Sequence, residues 1–179
     1  MILPPSELHE RAARIRLACF DVDGTLTDGR LVYDGEGRET KAFHVLDGQG
    51  LKPLEENGVA VAFITARRNA AIQARARDLG LQHVYTGVKD KGAVLVQLCE
   101  SLELSLEQAA HMGDDLPDLP ALSQVGLAAA PGNAHPWVAE RVHWIARARG
   151  GEGAVRELCD LILDAKGLRA AILEQFGAA

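Results

Sequence analysis

The sequence predicts a doubly wound α/β fold on a mainly parallel sheet, and two observations carry that expectation. Short apolar runs at 15–20, 59–64, 83–85, 125–129 and 142–145 lack regular polar alternation, as strands buried on both faces require. Between them lie segments with helical start and stop signals, so strand and helix alternate along the chain. Several of these runs end abruptly in polar residues, and open α/β sheets keep their chemistry at that edge.

In chain order, residues 6–14 read as a short helix capped by Ser6, leading into the strand at 15–20. That strand stops at Asp21-Val22-Asp23-Gly24-Thr25. Next come Arg30-Leu31-Val32-Tyr33, the turn residues Asp34-Gly35-Glu36-Gly37, and 39–45, together a β-hairpin of about 30–45. A helix follows Gly50, with Pro53 near its start and Gly58 beyond its end. The strand 59–64 precedes a helix at 69–79 stopped by Gly80, then the strand 83–85 and a helix at 90–102. Ser105 and Gln108 form a capping box for a further short helix. His111-Met112 leads into Gly113-Asp114-Asp115, and strands follow at 125–129 and 142–145. An amphipathic helix at 154–166 and a helical tail at about 168–179 complete the chain.

The 179 residues are 47% hydrophobic, enough for one well-filled core and short for two, so one domain over 1–179 is expected. Net charge is −6, and the 19 Lys and Arg are scattered, which argues against a nucleic-acid surface. The three cysteines stand far apart in apolar surroundings, the pattern of a reduced cytoplasmic protein. No apolar run approaches the ~20 residues of a membrane helix.

Two carboxylates one residue apart repel unless a cation, a proton or water relieves the charge, and a bound divalent cation is the economical relief at Asp21 and Asp23. A bare Asp-Gly turn is the bland alternative. A helix-loop-helix calcium site starting at Asp21 would need Gly and Glu at its sixth and twelfth positions, where Leu26 and Val32 stand. Thr65 can donate a hydroxyl to a phosphoryl oxygen, or merely cap a turn. Lys91, with Lys89 as runner-up, sits where a helix start disfavours a cation unless an anion is its partner. Asp114 supplies a second carboxylate of the kind magnesium favours, while Asp115 and Asp118 are placed to hold Lys91 or coordinated waters.

Taken in order, Asp-x-Asp-Gly-Thr, Thr65, Lys91 and Gly-Asp-Asp resemble the four motifs of the haloacid dehalogenase superfamily of phosphohydrolases. That resemblance implies a Rossmann-like sheet without a cap domain, Asp21 as nucleophile, Asp23 as acid/base, and Mg2+ on Asp21, Asp23 and Asp114. Ala66 stands where close relatives usually have Gly. Three stretches, the one through Asp28-Gly29, 41–50 and 151–157, are similar to the family of 3-deoxy-D-manno-octulosonate 8-phosphate phosphatases. This closer resemblance implies a small anionic sugar-acid phosphate substrate, a role in lipopolysaccharide precursor synthesis, and a homotetramer whose glycine-rich C-terminal segment can close over a neighbour's site. It also implies substrate contacts from Asp23, Lys91, His44, Val45, Leu46, Asp47, Gly48, Lys52, Arg67 and Arg75, with Leu46 where several relatives carry a basic residue. A phosphatase of nonulosonate 9-phosphates and a non-catalytic accessory domain of a sugar-nucleotide synthetase are the competing readings.

Overall fold

In a computed structural model that describes residues 2–178, six parallel strands form one sheet. They are β1 (Leu17–Phe20), β4 (Ala60–Thr65), β5 (His83–Thr86), β6 (Ala109–Met112), β7 (Leu127–Ala130) and β8 (Trp144–Ile145), in the order β5-β4-β1-β6-β7-β8. The chain moves from β1 to one side, through β4 and β5, and returns to the other through β6. The reversal therefore falls between β1 and β6, where such sheets open a crevice at the strand ends. Register makes those ends level: Phe20 of β1 pairs with Phe63 of β4 and with Met112 of β6.

Helices cover both faces because each strand offers apolar side chains to both. Ala18, Phe20, Val61, Phe63 and Met112 pack under α1 (Pro5–Arg14), α2 (Val45–Glu56), α3 (Ala70–Leu79) and α7 (Ala154–Ala165), through Leu8, Leu51, Leu54, Ile72, Leu158 and Ile162. Leu17, Cys19, Ala62 and Ile64 face the opposite cluster, with Leu95 and Leu98 of α4 (Lys91–Ser101) and Leu122 of α5 (Leu119–Leu122). Two shorter helices complete the elements, α6 (Pro136–Ala139) and α8 (Arg169–Gln175). Among the described residues, no helix is long and apolar enough to cross a membrane.

Three local expectations need correction. Ser6 does not cap α1: Pro4 is the N-cap residue, with Pro5 at the first helical position, where its missing N–H costs nothing. The hairpin is shorter than 30–45, with only β2 (Val32–Tyr33) and β3 (Glu39–Thr40) paired. Helix α2 begins at Val45, so Pro53 lies inside it and the 44–48 segment is its first turn. Gly48 and Gly50 suggested loop because glycine costs about 1 kcal/mol in a helix. Packing explains both, since a Cβ on Gly50 would lie 2.9 Å from Cβ of Cys159 on α7, and one on Gly48 would lie 2.3 Å from Nη2 of Arg75 on α3.

Candidate active site

Asp21 follows the last residue of β1 and opens a wide turn closed by Thr27 N–H donating to Val22 O at 2.9 Å. Gly24 sits in this turn at φ +90°, and a Cβ there would stand 2.2 Å from Oδ2 of Asp114. Only glycine meets both demands, the left-handed backbone and the close approach of the β6 loop. The loop is also held from behind, where Gly151 N–H donates to Thr25 O at 3.0 Å. The glycine-rich stretch at 150–153 thus begins against the Asp21 loop.

Carboxylate oxygens of Asp21, Asp114 and Asp118 lie within 4.8 Å of one another. Lys91, the first residue of α4, reaches the cluster with Nζ 2.6 Å from Asp21 Oδ1 and 2.7 Å from Asp118 Oδ1. The exposed Lys89 does not. His111 Nε2 lies 2.9 Å from the same oxygen of Asp118, and Thr25 Oγ1 donates to Asp114 Oδ1 at 3.2 Å. Three carboxylates against one ammonium leave a surplus of about two negative charges, the amount a divalent cation neutralises.

The titration behaviour reports the same surplus. Burial, then the neighbouring Asp118, push the Asp21 carboxyl up from 3.8 to about 6 despite Lys91. Burial, then Asp21 and Asp118, push Asp114 from 3.8 to about 7. Burial also opposes the charge on Asp118, yet His111 and Lys91 hold its carboxyl below the usual range. Asp118 is thus satisfied by protein partners and positions Lys91, whereas Asp21 and Asp114 carry the unrelieved charge.

Asp23, expected among the metal ligands, has its carboxylate outside this cluster, with Oδ1 accepting from Lys41 Nζ. Lys41 also donates to Glu39 Oε1 at 2.6 Å, and the other Glu39 oxygen accepts from Arg67. Thr65, at the end of β4, is buried and accepts from Arg67 N–H at 3.2 Å, leaving its own hydroxyl hydrogen to donate.

Other candidates stand apart from the cluster. Arg75 Nη2 donates to His44 O at 3.4 Å beside Gly48. Asp47 is buried, and its Oδ1 accepts from Arg156 N–H at 2.9 Å, tying α2 to the first turn of α7. Asp115 caps the turn 116–118 by accepting from Leu116 N–H and is exposed, so it does not hold Lys91. Val45 and Leu46 are 69% and 52% exposed, and Lys52 points into solvent on α2. Sequence reasoning passed over His111, Lys41 and Glu39. Thr25 lay within the first motif and Lys41 opens the stretch 41–50, but the contact of Lys41 with Asp23 depends on how the hairpin folds back.

Comparison with known proteins follows the same lines. A haloacid dehalogenase-like hydrolase family matches residues 83–158. The 3-deoxy-D-manno-octulosonate 8-phosphate phosphatase of Yersinia pestis is 45% identical over 157 residues, which is 88% of this chain and 84% of that protein. The crystal structure of the corresponding enzyme from Moraxella catarrhalis, in complex with magnesium ion, phosphate ion and KDO, is 41% identical with a TM-score of 0.93, covering 96% of this chain and 98% of that one. A cobalt-bound deoxy-D-mannose-octulosonate 8-phosphate phosphatase from Haemophilus influenzae is 37% identical with a TM-score of 0.85, covering 88% and 92%.

Proposed function

The chain belongs to the 3-deoxy-D-manno-octulosonate 8-phosphate phosphatases of the haloacid dehalogenase-like hydrolases, and from that premise we propose that it hydrolyses this ester through a phosphorylated Asp21. It is a magnesium-dependent phosphoric monoester hydrolase, and its substrate is a sugar-acid phosphate. The observation that carries the mechanism is the packing of Asp21 and Asp114, after the level ends of β1 and β6, with Lys91 at the start of α4.

The fit of Mg2+ rests on the donor set. Asp21 and Asp114 are hard oxygen donors with charge to spare, and Gly24 keeps the space in front of Asp114 clear. Asp21 and Asp114 would hold the ion, with Asp23 offering only atoms other than the oxygen Lys41 holds. When bound, the ion neutralises charge and lines up the phosphoryl group.

The remaining chemistry belongs to side chains. Lys91 and the main-chain N–H of Val22 hold the Asp21 carboxylate. An Asp21 oxygen bonds to phosphorus as the ester P–O bond breaks, and Asp23 gives its proton to the departing alkoxide oxygen. Water then attacks phosphorus and passes a proton to Asp23, and the bond from phosphorus to Asp21 breaks, releasing phosphate and restoring both carboxyl groups. One difficult hydrolysis becomes two easier steps. Thr65 supplies a hydroxyl to a phosphoryl oxygen, while Arg67, whose main-chain N–H meets Thr65 Oγ1, is the cation for the substrate carboxylate, with Arg75, next to Gly48 of α2, as the second candidate.

The wider reading is one domain built on one sheet, in lipopolysaccharide precursor synthesis, with a cytoplasmic setting supported by the three buried free cysteines. A homotetramer joined through the hairpins is supported by the exposed apolar side chains of Leu31, Val32 and Tyr33. Sedimentation showing a monomer at working concentration would remove the tetramer. Phosphate release from a panel of sugar-acid phosphates tests the function: preference for the octulosonate 8-phosphate is expected, preference for a nonulosonate 9-phosphate would reassign the substrate, and no release from any would refute catalysis.

A further inference from the structure

The geometry points to Lys41 as a positioning residue for the acid/base step: by clamping Asp23 Oδ1 it leaves Oδ2 as the oxygen that exchanges the proton, and through Glu39 it links that clamp to Arg67. The inference rests on the reading of Asp23 as acid/base and deepens it.

Three observations support the assignment. The Lys41 side chain is only 1% exposed, yet its ammonium meets two carboxylates, Asp23 and Glu39. Burying a lysine is costly unless it is paired, and an apolar residue would anchor a hairpin at lower cost. Second, Asp23 Oδ2 is buried and has no hydrogen-bond partner among the described residues. An orphaned buried carboxylate oxygen costs stability unless function takes it up, and it is the atom left over once Lys41 has claimed the other. Third, the charges alternate in sign along Asp23, Lys41, Glu39 and Arg67, and the chain ends on a guanidinium that is 40% exposed. Its buried end meets the proton donor and its open end meets solvent, where an anionic substrate arrives.

The clamp is well braced. Glu39 lies on β3, and its main-chain oxygen accepts from Asn69 Nδ2 at 3.1 Å, while Asn69 caps α3 by accepting from Ala71 N–H at 2.7 Å. Strand β3 is therefore fixed to the β4–α3 loop by side chain and main chain together. Rotation of Asp23 away from the leaving oxygen would have to break the Lys41 contact. A hairpin that moved would carry Lys41, and hence the Asp23 rotamer, with it.

The test compares two leaving groups in the full-length protein. A sugar alkoxide needs the proton of Asp23 to depart, whereas p-nitrophenolate leaves without it, so loss of proton delivery harms the first ester selectively. In Lys41→Met, kcat/KM for 3-deoxy-D-manno-octulosonate 8-phosphate relative to p-nitrophenyl phosphate is expected to fall by about tenfold or more, since general acid catalysis contributes about 10²–10⁴ in rate. In Lys41→Arg, which keeps the charge, the ratio is expected to return to within about threefold of wild type. Equal losses on both esters, as from a merely disordered site, or an unchanged ratio in Lys41→Met beside an active wild type, would overturn the clamp alone. A wild type inactive on both esters would overturn the clamp and the catalytic reading together.

Discussion

Lowering the pH from 8 to 6 is expected to weaken magnesium binding about 20-fold, because protons and the ion compete for the same two carboxylates. Asp21 is pushed to about 6 and Asp114 to about 7. Treated as independent sites, they carry together about 1.4 protons at pH 6 and about 0.1 at pH 8. Binding at the lower pH must displace those protons, whereas at the higher pH the site is already ionised. Two carboxylates at the ordinary 3.8 would give a change of only about 1% over the same interval. Titration calorimetry with Mg2+, repeated in two buffers of different ionisation enthalpy, reads both the affinity and the number of protons released. An affinity that varies less than about twofold, with no buffer dependence at pH 6, would refute the crowding of Asp21 and Asp114 around one ion.

The same two groups set the sign of the metal-free stability. Their folded-state values are raised above 3.8, so the native chain binds more protons than the unfolded one between that value and about 7, and the thermal midpoint of the metal-free protein should fall as pH rises through this window. Excess Mg2+ should then raise the midpoint more at pH 8 than at pH 6, and an equal shift at both would contradict the assignment. Asp21→Asn should abolish phosphate release while leaving the fold intact by circular dichroism, and undiminished release would remove Asp21 as nucleophile. Gly24→Ala combines a φ of +90° with a Cβ 2.2 Å from Asp114 Oδ2, so calorimetry should find magnesium affinity reduced by at least about tenfold. Gly50→Ala gains about 1 kcal/mol in helix propensity but overpacks against Cys159, at a cost of about 1–3 kcal/mol, so a net loss of up to about 2 kcal/mol should lower the thermal midpoint.

The sheet and the catalytic cluster were legible because each depends on local pattern. Apolar runs that end in Asp21 and near Asp114 identify buried strands and the edge they share, and the strand register then brings Asp21 and the Gly113–Asp114 loop level. Lys91 was legible as an oddity, a cation where the helix dipole disfavours one. The first turns of α2 were not, because Gly48 and Gly50 signal a loop locally while serving close contacts with residues far along the chain. Asp47 entered only through the family resemblance, and the tie that its Oδ1 makes to the main chain of Arg156 joins residues too far apart in sequence for any local pattern to announce. The contacts of Lys41 and His111 were not legible, because each forms only when separate elements converge on one carboxylate.

The seat of Gly150 and Gly151 against Gly24 and Thr25 bears on how the enzyme is made as it leaves the ribosome. A Cβ on Gly150 would fall 1.7 Å from the Gly24 carbonyl oxygen, so the reactive loop is finished by a glycine surface that emerges long after it. Until then the nascent chain holds its acidic residues without the brace that shapes them, and one face of its sheet lacks the cover of Leu158 and Ile162, so the ion site is completed only with the last quarter of the chain.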